Sequence, residues 1–137
     1  METKATFRLF GGAELTAAAV TLRLGVEPTW TAEAADRVSS RSSLTRGSSA
    51  WLLSSSSSIE SGTELSEHLR RLLAILEPVA ARLWELVREG YEANWFCLVA
   101  SHPTERAAEL DRTIMQRLLA LPGDLWLNVW NDGTEDQ

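Results

Sequence analysis

The feature that most constrains the fold is a leucine-rich stretch, LSEHLRRLLAILEPVAARLWELV, between Leu65 and Val87. Its apolar residues recur every three or four positions, the spacing that places them on one side of an α-helix. Its charged residues fall mostly off that side, so one face of the helix meets water and the other needs an apolar surface to cover. The stretch therefore predicts a long amphipathic helix that packs on a β-sheet formed by the rest of the chain.

Pro78 interrupts this predicted helix. Proline lacks a backbone N–H and disfavours the helical conformation at the residue before it. Because the apolar spacing continues on both sides of Pro78, we expect two consecutive helical pieces on one surface, with Pro78 in the first turn of the second piece. Thr63 or Ser66 is the predicted N-cap of the first piece, and Gly90 ends the second.

Five segments have the composition and alternation of β-strands. They are Ala5–Phe10, a weak strand around Ala34–Val38, Ala50–Ser54, Asn94–Ser101 and Leu125–Trp130. The Asn94–Ser101 segment is apolar on both faces, which is typical of a central strand covered on both sides. Two short helices are also predicted, one capped by Thr16 and stopped at Gly25, the other capped by Asp111 and stopped at Pro122-Gly123.

The entries of the two short helices are alike, because Ala13-Glu14-Leu15-Thr16 matches Ala108-Glu109-Leu110-Asp111 in type. This similarity favours a duplicated strand–helix–strand unit and an α+β fold. We predict a ferredoxin-like two-layer sandwich, with an antiparallel or mixed sheet and with the long kinked helix and two shorter helices on one face. The length fits a single domain, 1–137, with an ordered core of about 5–131 and a frayed acidic tail at 132–137.

A family resemblance rests on the same residues. The pattern V-T-x-x-L-G-V-x-P-T runs from Val20 to Thr29, after an N-terminal strand and Leu15-Thr16, and the strand around Trp51, the long helix and an aromatic final strand follow. From about Thr6 to Trp130 the chain resembles the bacterial family called domain of unknown function forty-two seventy-nine. The resemblance implies a small bacterial protein of this architecture and implies no catalytic residues.

The chain departs from the pattern of that family at two places. Thr31-Ala32-Glu33-Ala34 follows Pro28, where a glycine and a basic residue are expected, and Trp130 ends the last strand where tyrosine is usual. These departures concern the surface, so surface functions are not transferred from the family.

Composition excludes several classes of partner. The formal net charge is −6, so phosphate backbones are repelled on average, and we expect no nucleic acid partner. No apolar run approaches the roughly 20 residues of a membrane span, and the N-terminus lacks the features of a signal peptide. We therefore expect an intracellular, cytoplasmic protein with no membrane partner. The single cysteine, Cys97, excludes an internal disulfide framework.

The sequence contains few candidates for chemistry. The two histidines, His68 and His102, lack the spacing of a metal site, and His68 is predicted to lie on the surface. Cys97 lies in an apolar strand and is predicted to be a small buried apolar residue. The weaker alternative is that Cys97 and His102 form a nucleophile pair. No nucleophile elbow or phosphate-binding loop is present. We expect no metal, no cofactor and no enzymatic activity.

Two groups of residues are candidate binding sites. Arg37, Arg41 and Arg46 lie in a serine-rich segment without acidic residues, which is either a mobile solvated loop or a contact for an acidic partner or phosphate. In the last strand, Leu125, Leu127 and Val129 are predicted to face the helices. That orientation sends Trp126, Asn128 and Trp130 to the opposite face, and an indole suits a partly exposed interface.

These observations favour a non-enzymatic interaction module, such as an antitoxin or immunity protein that masks a protein partner. The simplest partner is another copy of the chain, bound through the second face of the sheet. The alternative is a small-molecule binder or an enzyme that uses an aromatic pocket between the sheet and the helices.

Overall fold

The computed structural model describes residues 2–36, 47–101 and 108–131, which form one six-stranded sheet and four α-helices. In chain order the elements are β1 (Glu2–Gly11), α1 (Ala17–Leu24), β2 (Trp30–Ala32), β3 (Ser49–Ser54), β4 (Glu60–Ser61), α2 (Leu65–Leu76), α3 (Ala80–Arg88), β5 (Glu92–Ser101), α4 (Arg112–Leu119) and β6 (Asp124–Asn131). A single turn of 3-10 helix, Glu77–Val79, joins α2 to α3.

The strand order is β2-β3-β1-β5-β6, so the N-terminal strand lies in the middle of the sheet and β6 lies at an edge. The short β4 pairs with the first residues of β1. Every pair in this order is antiparallel except β5 with β6, which run parallel and are connected through α4. A parallel neighbour requires such a crossover connection, and a helix usually supplies it.

One face of the sheet carries the core. Phe7 and Leu9 of β1, Trp51 of β3 and Trp95 of β5 are almost fully buried there, in one cluster with apolar residues from all four helices. The rings of Phe7 and Trp95 meet edge to face, with centroids 4.8 Å apart and an interplanar angle of 60°. This geometry suits the opposite charges of a ring's edge and face. The predicted arrangement of an α+β sandwich with its helices on one face is confirmed.

The long helix is present as two pieces, and Pro78 lies in the 3-10 turn between them. The leucine stripe of α2 is fully buried, as predicted from its spacing. The predicted caps Thr63 and Ser66 are wrong, because the N-cap position is Glu64 and its side chain makes no capping hydrogen bond.

The predicted caps Thr16, Gly25 and Asp111 of the short helices are confirmed, whereas α4 ends at Leu119 with Ala120 as its C-cap, before the predicted stop at Pro122-Gly123. Thr16 accepts a hydrogen bond from the Ala19 N–H, and Gly25 ends α1 in the left-handed conformation, with φ of 68°. Asp111 caps α4 by accepting from the Ile114 N–H. The first turn of α1 has a second acceptor from outside the helix, because the Glu33 carboxylate accepts from the N–H groups of the first two helical residues at 2.8 and 2.9 Å.

The narrower ferredoxin-like assignment is not confirmed. In that fold each strand–helix–strand unit is split by another strand of the sheet. Here β1 and β2 are split in this way by β3, but β5 and β6 are direct hydrogen-bonded neighbours. The two units with similar helix entries are therefore not structurally equivalent.

Several local predictions differ from the structure. The prediction of a weak strand around Ala34–Val38 is wrong for the residues that the structure describes. Ala34 and Ala35 form a turn, and the strand is Trp30–Ala32 instead. The connection between β3 and α2 contains β4, which was not predicted. Strand β5 contributes core residues from one face, and on its other face Phe96 and Leu98 are half-buried whereas Asn94 and Ala100 are buried. Arg37, Arg41, Arg46 and the tail 132–137 lie outside the described residues.

Replacing Leu72 with alanine tests the helical core. Leu72 is fully buried, so truncation leaves a cavity and should lower the free energy of unfolding by about 2 to 5 kcal/mol. Urea unfolding measures this loss. Leu22→Ala is the matched control, because Leu22 is 83% exposed on α1, and it should change the free energy by less than about 0.5 kcal/mol. Equal effects of the two substitutions would contradict the described core.

Candidate functional site

The second face of the sheet, which we call the open face, lies opposite the helices. The described helices bury their apolar residues on the other side. Residues that alternate with the core positions of each strand form the open face, and the strand register aligns them in rows. One row runs across the centre of the sheet and contains Leu52, Arg8, Asn94 and Asp124.

Arg8 is the cation at the centre of the open face. Its Nε donates a hydrogen bond of 2.7 Å to Asn94 Oδ1 on the neighbouring strand. The guanidinium carbon lies 4.3 Å from the ring centroid of Phe96, 5.3 Å from that of Phe10 and 5.5 Å from that of Trp126. A cation within about 6 Å of an aromatic ring is attracted by it. Three rings therefore hold one guanidinium, and Asn94 fixes its orientation.

Partial burial lowers the pKa of Arg8 from its ordinary value, because the charged form loses some of its contact with water. An arginine nevertheless stays protonated in a protein. Among the described residues no carboxylate forms an ion pair with Arg8. The open face thus carries a positive charge that aromatic rings surround and that forms no ion pair with a described carboxylate.

A cavity of about 570 Å³ lies beside this guanidinium, and we call it the Arg8 pocket. Its lining residues are Arg8, Phe10, Gly11, Gly12, Ser48, Gly90, Glu92, Asn94 and Trp126. Three of these are glycines, so part of the wall is bare backbone. The volume falls within the range of about 300–1,000 Å³ that is usual for small-molecule sites.

The predicted site residues have different outcomes. Trp126 lines the Arg8 pocket, and Asn128 and Trp130 lie on the same face farther along β6. Arg37, Arg41 and Arg46 lie outside the described residues. Sequence reasoning missed Arg8, although its position between Thr6 and Phe10 on the non-core side of β1 marked it as a residue of the open face. Its partner Asn94 is distant in sequence, so no local pattern linked them.

Strand β6 is exposed on both of its faces. Trp126 and Trp130 are 53% and 40% exposed on the open face, and Leu127 and Val129 are 56% and 59% exposed on the helix side. The register places Leu125, Leu127 and Val129 beside core residues of β5, so the predicted orientation is correct. The predicted burial is wrong because β6 is the edge strand, and α4 packs against α2 instead of covering it.

His68 belongs to a buried polar cluster and was wrongly predicted to lie on the surface. Its ring is fully buried, Nδ1 lies 2.7 Å from Ser55 Oγ, and Nε2 lies 3.5 Å from a Glu60 carboxylate oxygen that also pairs with Arg71. His68 follows Leu65 by three residues and precedes Leu72 by four. This spacing places His68 on the apolar stripe of the helix, so its burial could have been predicted from the sequence.

The order hydroxyl, imidazole and carboxylate resembles that of a hydrolytic triad. Ser55 Oγ, however, accepts a hydrogen bond from the backbone N–H of Ala5, and the His68 ring is sealed from solvent. These contacts connect β1, the segment after β3, β4 and α2. We therefore assign the cluster a structural role.

Two further groups are candidates for chemistry. Cys97 is buried in β5, and burial raises the pKa of its thiol to about 12, so the thiol stays protonated at neutral pH. Within residues 2–36, 47–101 and 108–131, no three His, Cys, Asp or Glu side chains come together as metal ligands. In the same ranges no helix is both long and apolar enough to cross a membrane.

The comparison with protein families agrees with the resemblance in sequence. The model of the family described as domain of unknown function (DUF4279) matches residues 1–132. The chain belongs to this family. Neither curated proteins nor solved structures gave a match to the chain. Membership of DUF4279 therefore agrees with the resemblance and assigns no activity to the open face or to β6.

Acid should destabilise the protein through His68. Burial lowers the pKa of the folded imidazole below 6.5, although the Glu60 and Glu67 carboxylates oppose this shift and Arg71 reinforces it. The unfolded chain then binds a proton at a higher pH than the folded chain. The free energy of unfolding should be fully retained above about pH 6.5 and should fall below it by up to about 1.4 kcal/mol per pH unit.

Urea unfolding between pH 7.5 and pH 5 measures this slope. His68→Gln removes the titrating group and should unfold with a shallower pH dependence in this window. The salt-bridged carboxylates of Glu77 and Glu89, whose pKa values are lowered by Arg117 and Arg23, contribute only at more acidic pH. Identical slopes for the wild type and His68→Gln would show that His68 titrates normally in the folded protein.

Proposed function

We propose that this protein is a non-enzymatic, cytoplasmic protein-interaction module, and that strand β6 is its interface. The single observation that carries the proposal is the exposure of β6 at the sheet edge with apolar side chains on both faces. Soluble proteins usually protect an edge strand with charges, proline or a covering segment. From Leu125 to Trp130 this strand contains neither a charge nor a proline.

A second copy of the chain fits this edge. Two β6 strands can pair antiparallel about a twofold axis, which joins two sheets into one and is the usual closed symmetry of a dimer. A register centred on Asn128 places Trp126 opposite the partner's Trp130 on the open face. On the helix side the same register places Leu127 opposite the partner's Val129. Like then faces like on both sides, and such cross-strand pairs stabilise a sheet.

Asn128 is the polar residue at the centre of this register. Its side chain would face the partner's Asn128, and two amides can donate to and accept from each other. A slip of the register by two residues would bring an indole opposite an amide instead. Asn128 therefore gives the pairing a preferred alignment, whereas the apolar residues supply the area that is buried.

A foreign protein is the alternative occupant of the same edge. An antitoxin or immunity protein masks a partner in this way, and the net charge of −6 suits a partner with a basic surface. We favour the second copy because the residues of β6 complement themselves without any further assumption.

Sedimentation of the wild type and of Val129→Glu tests the interface. The wild type should be a dimer at high micromolar concentration, and Val129→Glu should be a monomer, because two carboxylates would be buried near the twofold axis. Val129 is 59% exposed in the single chain, so its urea midpoint should change little.

Leu22→Glu is the matched control, because it introduces the same charge at an exposed apolar position on α1. It should leave the dimer intact, and Trp126→Ser with Trp130→Ser should weaken it. A monomeric wild type would rule out self-association and would leave the foreign partner, which a pull-down from the native host would then identify.

A cross-linking experiment tests the register itself. In an antiparallel pair the facing Cα atoms are about 4.5 to 5.5 Å apart, which is within the range that a disulfide spans. Asn128→Cys should therefore form a disulfide-linked dimer under mild oxidation. Leu125→Cys should not, because the two copies of that residue would lie about 20 Å apart. Efficient cross-linking by Leu125→Cys would contradict the register.

The alternative function, a small-molecule binder, is favoured by one observation, the Arg8 pocket. The predicted location between the sheet and the helices is occupied by Trp51 and Trp95, which are at most 1% exposed. The Arg8 pocket lies on the open face instead. A ligand site there is compatible with a dimer joined through the edge of β6.

A further inference from the structure

Within the described part of the chain, the partly buried guanidinium of Arg8 forms no ion pair with a carboxylate. Its described hydrogen bond uses Nε and the neutral Asn94 side chain, so the two terminal nitrogens have no described acidic partner. Phe96, 4.3 Å from the guanidinium carbon, contacts it as an aromatic ring, which attracts a cation but accepts no strong hydrogen bond. An anion that paired with these nitrogens would offset the cost of removing part of the charge from water.

The Arg8 pocket is an open pocket that combines a cation with aromatic surface. It holds about 570 Å³ next to the guanidinium, and Phe10 and Trp126 supply aromatic surface. Gly11 and Gly90 leave the wall without side chains. A Cβ atom on Gly11 would lie 2.5 Å from the Leu15 carbonyl oxygen, so the packing of β1 against Leu15 requires this glycine.

We propose that the Arg8 pocket binds a small molecule that carries one carboxylate on a flat apolar body. The two terminal nitrogens of a guanidinium match the two oxygens of a carboxylate in a bidentate pair. The flat body would lie against Trp126 and Phe10. The negative charge of the ligand is inferred from Arg8, and its flat apolar body is inferred from Phe10 and Trp126, which line the same pocket.

Glu92 distinguishes a carboxylate from a phosphate. Its side chain lines the same pocket, so it places a negative charge near any bound anion. A ligand with two negative charges would be repelled by Glu92 roughly twice as strongly as a ligand with one, so a monoanion loses less binding free energy. The pocket should therefore prefer a carboxylate to a phosphate monoester with the same aromatic group.

This inference goes beyond the proposed dimer, and Trp126 is the one residue that both proposals use. The interface depends on the edge of β6, and the pocket depends on Arg8 with its aromatic neighbours. In Val129→Glu the edge carries a charge and the pocket lining is unchanged. Ligand binding should therefore persist in that variant even where the dimer is lost, so the two proposals can fail separately.

Calorimetric titration with three matched probes tests the ligand class. The probes are 1-naphthoate, neutral 1-naphthamide and 1-naphthyl phosphate, which share one aromatic body. The wild type should bind 1-naphthoate at least about tenfold more tightly than the amide, because a charge-assisted bidentate pair is lost in the amide. The phosphate ester should bind more weakly than 1-naphthoate, and inorganic phosphate should show no saturable binding.

Substitutions locate the site. Arg8→Gln should weaken 1-naphthoate binding about tenfold or more and should abolish the preference over the amide. Arg8→Lys keeps the charge without the planar fork and should give an intermediate affinity. Glu92→Gln should tighten binding of both anions, and of the phosphate ester more. Arg82→Gln, at an exposed arginine on α3, is the matched control and should have no effect.

Each outcome decides the proposal. Far-UV circular dichroism and the urea midpoint show whether Arg8→Gln is folded, and Glu92→Gln, at an exposed residue, gives a second test if it is not. The absence of saturable 1-naphthoate binding to the wild type would overturn the proposal. Equal affinity for the acid and the amide would overturn it as well, as would a Glu92→Gln variant that binds the two anions as the wild type does.

Discussion

The packing of the α2 leucine face on β1 is the contact on which the rest of the structure depends. It places every described helix on one side of the sheet, because α1, α3 and α4 bury their apolar residues in the same cluster. None of these described helices then covers the side chains on the other side of β1. Arg8 is retained there as a charge held by aromatic rings, and the site on the open face follows from this one-sided core.

Local features of the fold were predictable from the sequence. The stripe of α2, the break at Pro78 and the caps Thr16, Gly25 and Asp111 each depend on residues within a few positions of one another. The strand order depends on hydrogen bonds between distant segments, and no local pattern encodes it. The ferredoxin-like assignment relied on two similar helix entries, and those four-residue patterns fix how a helix begins but not which strands lie side by side.

The candidate site was predictable in part for the same reason. Alternation along β6 placed Trp126 on the open face, since a strand has a period of two. The exposure of Leu127 and Val129 could not be read from that alternation, because it depends on where α4 lies. The Arg8 pocket combines residues from three strands and the turns beside them. His68 lies within the apolar stripe of α2, and Arg8 lies between apolar residues of β1. In both cases the neighbours in the folded structure, which are distant in sequence, decide the role of the polar residue.

The central position of β1 has a consequence for the order in which the chain can fold. This strand is made before both of its long neighbours, and one of them, β5, follows only after α2 and α3. The contact between Phe7 and Trp95 can therefore form only after β5 has been made. Until then the apolar face of β1 is only partly covered. Such non-local pairing slows folding, because a long loop must close before the contact forms. During synthesis β1 thus exposes part of its apolar face until β5 is made, and exposed apolar surface of this kind is prone to aggregation.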